Sequence, residues 1–81
     1  MTEIADRIRV FIVENFLFGN DDGFRDDSSF LDDGIIDSTG ILELVAFLEE
    51  EFAIIVEDEE LIPENLDSID NVVAFLERKN F

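Results

Sequence analysis

The sequence has no cysteine, no histidine, no tryptophan and no tyrosine. Without cysteine, neither a disulfide framework nor a thiolate metal site can form. Without histidine, the chain lacks the commonest general base and the commonest metal ligand. Catalysis by the chain alone would have to rest on carboxyl groups, and no acidic residue lies in an evident apolar pocket that would raise its pKa. We therefore expect that the protein is not an enzyme.

Basic residues are also scarce, because five Lys and Arg stand against 22 Asp and Glu, which leaves a net charge of −17. A field of this sign repels phosphate backbones, so we expect basic patches on other proteins, and no nucleic acid, as partners. The acidic loop near Gly23 does not fit a calcium-binding EF-hand. With Gly23 at the sixth position, the first ligand would be Phe18, which has no side-chain oxygen. We expect no dedicated metal site.

Long apolar runs are missing as well, since no stretch approaches the roughly 20 apolar residues of a membrane span. The segment Met1–Arg7 carries acidic residues where a signal peptide has a basic region. We therefore expect a cytoplasmic monomer without a membrane span. The hydrophobic fraction of 47%, with nine Phe, is sufficient for a core. The 81 residues fit one small domain, residues 1–81.

Apolar residues recur at helical spacing in three long segments and one short segment. This pattern predicts an all-α fold, a four-helix bundle with three long helices and one short one. The expected helices span residues 2–17, 38–52, 57–62 and from about 68 onwards. Thr2 is the expected cap of the first helix and Asp67 or Ser68 that of the last. Pro63 is expected to end the short helix, and residues 53–56 to form a buried link. The apolar stripe of the second helix is expected to contain Ile41, Leu44, Val45, Leu48 and Phe52, widened by Leu42 and Phe47.

A long loop, residues 18–37, precedes the second helix. Its cluster of Gly, Asn and Asp at residues 19–23 is typical of turns. A loop of this length in a small domain is usually functional or packed by its own side chains. We expect Phe30, Leu31 and Ile36 to pin the loop across the helices.

The second helix begins at the dipeptide Asp37-Ser38, directly before an apolar helical pattern. This position predicts that the Ser38 hydroxyl lies at the protein surface. From the local residues alone, Ser38 is as readily an N-cap as a site for chemistry, because serine is a preferred cap. A second pair, Asp67-Ser68, also precedes an apolar helix. It lacks the long approach loop and the acidic helix face, so we interpret Ser68 as a structural cap.

Three segments together resemble the acyl carrier protein family over nearly the whole chain. Asp37-Ser38 matches the family's attachment pair, and residues 43–45 match its usual Glu-Leu-Val. Residues 48–52, Leu-Glu-Glu-Glu-Phe, match the common end of the family's second helix. The resemblance implies that Ser38 carries a 4′-phosphopantetheine arm from coenzyme A, with Asp37 in a supporting role. The arm holds acyl or aminoacyl cargo as a thioester in a freestanding carrier.

The same resemblance implies the partner enzymes. A phosphopantetheinyl transferase with Mg²⁺ would supply the base and the metal for modification, because the chain has no histidine to activate the serine. Acyl- or aminoacyl-activating ligases and acyltransferase or synthase enzymes would bind through basic patches. The expected docking residues on the carrier are Thr39, Ile41, Glu43, Glu49 and Glu50. An ordinary solvated helix face is the alternative interpretation of these glutamates.

Two departures from the family pattern leave the cargo open. Thr39 follows the serine where the family most often has Leu, and Gly40 stands where fatty-acid carriers usually have a helix former. An Asp-Ser-x-Gly arrangement is similar to D-alanyl and related aminoacyl carrier proteins. Fatty-acid-like, polyketide and aminoacyl cargoes are all compatible with the residues. A non-catalytic, acidic helical interaction module is an alternative of another class, and it would make no demand on Ser38.

Overall fold

The computed structural model describes residues 3–79. Within these residues the fold is all-helical without a β-strand, which confirms the all-α part of the prediction. The helices are α1 (Glu3–Phe16), α2 (Ser38–Phe52), α3 (Pro63–Leu66) and α4 (Ile69–Arg78), with a 3₁₀ turn at Asp58–Glu60. The predicted bounds of the first and second helices agree with α1 and α2 to within one residue. The predicted cap Thr2 lies outside the described residues.

The apolar stripes of the long helices meet in one core. The buried apolar side chains are Ala5, Ile8, Ile12, Phe24, Phe30, Ile36, Leu44, Leu48, Leu66, Ile69, Val72, Phe75 and Leu76. Helix α4 packs against both α1 and α3. Arg7, near the start of α1, pairs with Glu51, near the end of α2, at 3.0 Å. Helices α1 and α2 therefore run antiparallel, and the start of α2 lies near the end of α1.

Asp67, at the junction of α3 and α4, binds the long loop that precedes α2. The Phe30 backbone N–H donates to the Asp67 carbonyl at 2.7 Å, and the Leu31 N–H donates to Asp67 Oδ1 at 2.9 Å. The Phe30 and Ile36 side chains are buried in the core, as predicted. The prediction for Leu31 was wrong, because its side chain is exposed. Its backbone, not its side chain, fastens this part of the loop.

The segment between α2 and α4 differs most from the prediction. The expected helix over residues 57–62 is only the 3₁₀ turn Asp58–Glu60, and Pro63 begins α3 instead of ending a helix. Proline suits the first turn of a helix, where its missing N–H would have no intrahelical acceptor. The apolar link 53–56 is not a strand, but it is not buried throughout, since Ile55 is 69% exposed.

The side chains of Arg78, at the end of α4, and of Lys79, its C-cap, fasten this segment. The Glu57 N–H donates to Glu60 Oε1 at 2.9 Å, and Lys79 Nζ lies 2.9 Å from the same oxygen. Arg78 Nη2 donates to Asn65 Oδ1 at 2.6 Å, while the Asn65 amide donates to the Glu60 carbonyl at 3.0 Å. These bonds join the 3₁₀ turn and α3 to the last turn of α4.

The Glu60 contacts predict a pH-dependent part of stability. The Glu57 backbone N–H, and after it Lys79, holds the pKa of Glu60 below its ordinary value of 4.5. A lowered carboxyl pKa stabilises the fold above the unfolded-state pKa, and this contribution is lost as pH falls through the folded-state pKa. We expect Glu60→Gln to lower the free energy of unfolding at pH 7, with the difference from wild type vanishing in acid. Urea unfolding of both proteins at a series of pH values, from 7 down through the folded-state pKa of Glu60, measures this difference in stability. Glu59→Gln removes a neighbouring exposed charge as the control, and a pH-independent difference for Glu60→Gln would contradict the prediction.

Candidate functional site

Two adjacent residues at the start of α2, Asp37 and Ser38, have different roles in the helix. Asp37 is the N-cap, in extended backbone, and its Oδ1 accepts from the Gly40 N–H at 2.7 Å. Ser38 is the first helical residue and is exposed. Among residues 3–79, no group hydrogen-bonds the Ser38 hydroxyl. The interpretation of Ser38 as an N-cap is therefore wrong, because Asp37 fills that role, and the serine hydroxyl is free for another one.

The second Asp-Ser pair has the opposite arrangement. Ser68 is buried, and its Oγ accepts from the Asn71 N–H at 3.1 Å as the N-cap of α4. Asp67 binds the loop through its carboxylate and does not cap α4. The prediction that Ser68 is a structural cap is confirmed. Two identical dipeptides at helix starts thus differ in which residue caps the helix and in whether the serine is buried.

Close packing fixes the backbone on either side of Ser38. A Cβ on Gly40 would lie 2.8 Å from Ile36 Cγ2 and 2.9 Å from Phe16 Cε1. Both neighbours belong to packed side chains that cannot simply swing away. Gly40 therefore lets the end of α1 and the residue before the cap approach α2 closely. This contact gives a packing reason for a glycine that the sequence pattern alone left unexplained.

We expect Gly40→Ala to destabilise the protein. Overpacking typically costs about 1–3 kcal/mol, whereas the helix propensity gained by Ala is at most about 1 kcal/mol. The net expected loss is up to about 3 kcal/mol in the free energy of unfolding, measured by urea denaturation. Ala46→Gly, at an exposed position of the same helix, reports the propensity alone. A Gly40→Ala protein more stable than wild type would contradict the close contact.

An apolar groove of about 340 Å³ lies beside Ser38. It is lined by Leu31, Ser38, Ile41, Leu42, Leu61, Ile62, Pro63, Leu66 and Asp67. The loop, α2 and the segment around α3 each supply one wall. Three large hydrophobic side chains of the lining, Leu31, Leu42 and Ile62, are exposed. The serine hydroxyl therefore opens next to apolar surface that the fold has not covered.

The sequence did not predict that these three side chains are exposed. Leu42 was expected to widen the buried stripe, and it is exposed instead. Its spacing could have shown this, because it precedes the buried Leu44 by two residues, about 200° around a helix. For Leu31 and Ile62 the local sequence carries no such signal. Their exposure depends on how two irregular segments lie against α2.

The predicted docking residues do not all share one environment. Thr39, Glu43 and Glu50 are exposed, and their spacing along α2 places them on one face of the helix. Ile41 is half-buried and lines the groove. Glu49 is half-buried, and its Oε2 accepts from the Val56 N–H at 2.9 Å, which secures the chain after α2. This exposed face presents the Thr39 hydroxyl and the carboxylates of Glu43 and Glu50, about 100–140° around α2 from Ser38.

Residues 3–79 contain no cluster of three or more acidic side chains arranged to hold a metal ion. In the same part of the chain, no helix has the length and apolar character needed to cross a bilayer. No protein-family model matches the chain, and no curated protein matches it either.

Proposed function

We propose that this chain is a carrier protein of the acyl carrier type, a four-helix bundle modified with 4′-phosphopantetheine at Ser38. The observation that carries the proposal is the free, exposed Ser38 hydroxyl at the start of α2, beside an uncovered apolar groove. Asp37 supplies the cap in its place. A serine with only a structural task would be expected to use its oxygen within the fold, as Ser68 does.

The residues around Ser38 fit a phosphodiester-linked arm. The Ser38 and Thr39 amides lie in the first turn of α2, where N–H groups have no intrahelical acceptor. A helix N-terminus favours the negative charge of a phosphate. Asp37 is satisfied by the Gly40 amide, and the groove offers an apolar path for the remainder of the arm. The bound arm supplies a thiol that holds cargo as a thioester.

The chain's own residues position the hydroxyl and do not activate it. Modification joins Ser38 Oγ to the β-phosphorus of coenzyme A, breaks its bond to the bridging oxygen and releases 3′,5′-ADP. The hydroxyl proton must pass to a base, and the chain has no histidine to accept it. A phosphopantetheinyl transferase with Mg²⁺ supplies the base and the metal. Asp37 holds the backbone that presents the oxygen. The carrier is therefore a substrate and tether, and partner enzymes carry out the chemistry.

The exposed face of α2 is the proposed docking surface for these enzymes. Thr39, Glu43 and Glu50 lie on it, and Glu49 contributes charge although its carboxylate also holds the Val56 amide. Ile41 lies on the opposite side of α2, in the groove at Ser38, where it would contact a partner that reaches the attachment site. Exposed ion pairs contribute about 0.2–1 kcal/mol each, so this surface governs encounter rate and orientation more than affinity. The net charge of −17 also raises the encounter rate with basic partners.

The cargo is acyl or aminoacyl. The packing around Gly40 explains this glycine without reference to cargo, so its similarity to D-alanyl and aminoacyl carriers has less weight. The apolar lining of the groove favours an acyl chain. Loading the modified protein with acyl-activating and amino-acid-activating ligases separates the two, because only the matching class forms a thioester.

Intact mass spectrometry tests the proposal directly. The protein is incubated with coenzyme A, Mg²⁺ and a broad-specificity phosphopantetheinyl transferase, and the modified residue is located by fragmentation. The expected result is the addition of one phosphopantetheine at Ser38. No addition under conditions in which a known carrier is fully modified would overturn the proposal. The non-catalytic interaction module would then be the better interpretation of the acidic bundle.

A further inference from the structure

A second groove, of about 420 Å³, lies between α1 and α2. It is lined by Glu3, Asp6, Arg7, Val10, Phe11, Glu14, Asn15, Phe47 and Glu51. None of these residues lines the groove at Ser38. On α2, Phe47 follows Ser38 by nine residues, which is about 13 Å along the helix and about 180° around it. The second groove therefore lies on the other side of α2 from the proposed attachment site.

The floor of the α1–α2 groove is apolar and partly uncovered. The rings of Phe11 and Phe47 stack with centroids 4.2 Å apart and remain half-buried. Val10 next to them is 53% exposed. Aromatic side chains are enriched at the cores of protein interfaces, and here an exposed apolar residue extends the aromatic pair. Core packing does not require Val10 to be apolar at this position.

The rim of the same groove is acidic. Glu3, Asp6, Glu14 and Glu51 contribute four negative charges against the single positive charge of Arg7. Arg7 is already engaged, because its guanidinium lies 3.4 Å from Glu3 Oε2 and 3.0 Å from Glu51 Oε2. Asp6 and Glu14 are exposed on either side of Val10. An apolar strip is thus bordered by carboxylates along α1.

We infer that this groove binds a basic amphipathic helix of a partner protein, with an apolar stripe on Val10, Phe11 and Phe47 and with Lys or Arg against the acidic rim. Helices commonly bind in this way, through apolar anchors spaced along one face. A second copy of this chain is a poor occupant, because each copy carries a net charge of −17. The inference does not rest on the proposed function, since it makes no use of Ser38.

The test uses a synthetic peptide of about 18 residues, roughly five helical turns, with Leu at i, i+4 and i+7 flanked by Lys. A peptide of the same composition with scrambled Leu positions reports electrostatic attraction alone. NMR titration of the full chain is expected to shift the amides of Val10, Phe11 and Phe47 most. Equal binding of the scrambled peptide, or shifts concentrated around Ser38, would overturn the inference.

Substitutions provide a second, independent readout. Val10→Asp adds negative charge, which would strengthen purely electrostatic binding, yet we expect about 10-fold weaker binding because the apolar contact is lost. Ile55→Asp makes the same change in charge at a 69% exposed residue outside the groove, and it should not weaken binding. Val10→Ser checks the result without added charge, with circular dichroism confirming the fold of each variant. Ser38→Ala should bind the peptide like wild type, so failure of the attachment site and failure of this groove are distinguishable. Unchanged affinity in both Val10 variants would refute the groove.

Discussion

Ser38→Ala is expected to abolish phosphopantetheine loading completely while leaving the fold intact. The hydroxyl is the only group on this residue that can form the phosphodiester, and no hydrogen bond within residues 3–79 uses it. Asp37 continues to cap α2 through the Gly40 amide, so the helix start does not depend on the serine oxygen. We expect the free energy of unfolding to change by less than about 0.5 kcal/mol, as is usual for exposed surface substitutions.

Ser68→Ala is the matched control, and it should lower stability without affecting phosphopantetheine loading. Its hydroxyl caps α4 by accepting from the Asn71 amide, and loss of such a cap costs about 0.5–2 kcal/mol. Loading should continue at the wild-type extent, because Ser68 is buried and lies outside the attachment site. Intact mass measures the loading of both variants, and urea unfolding measures their stability. Loading retained in Ser38→Ala would exclude Ser38 as the attachment residue.

Phe30→Ala is expected to cause the largest loss of stability. The ring is completely buried, and removal of a core phenylalanine side chain typically costs about 3–5 kcal/mol. A domain of this length has a total stability of about 4–12 kcal/mol, on the basis of 0.05–0.15 kcal/mol per residue. The substitution therefore removes a large part of the free energy of unfolding. Loss of the ring should also loosen the approach to the site, because the ring anchors the backbone whose carbonyl accepts from the Ile35 and Ile36 amides at 2.8 and 3.1 Å, just before Asp37.

Phe18→Ala is the control, because it makes the same substitution at an exposed phenylalanine. Phe18 is 93% exposed, so its removal should alter the free energy of unfolding by no more than about 0.5 kcal/mol. Denaturant midpoints of the two variants measure the contrast. A stable, fully cooperative Phe30→Ala protein would mean that the loop is not anchored in the core through this ring.

The sequence by itself determined the helical class, the long helices and most of the core. Ile8 and Ile12, or Leu44 and Leu48, are four residues apart and so must lie on one helix face, whatever the rest of the chain does. The start of α2 was also predictable, because a polar dipeptide before an apolar pattern is a local signal. The charge of −17 and the missing histidine and cysteine likewise follow from composition alone.

Only the tertiary structure decided how the site is completed. Whether Asp37 or Ser38 caps α2 depends on the backbone angles of the approach loop, which the Phe30 anchor and the close contact at Gly40 determine. Pro63 could end one helix or begin another, and it begins α3. The exposure of Leu31 and Ile62 beside Ser38 depends on segments without regular periodicity. Helical spacing is a local property of the chain, whereas a groove forms between segments distant in sequence, so its existence is set by their packing.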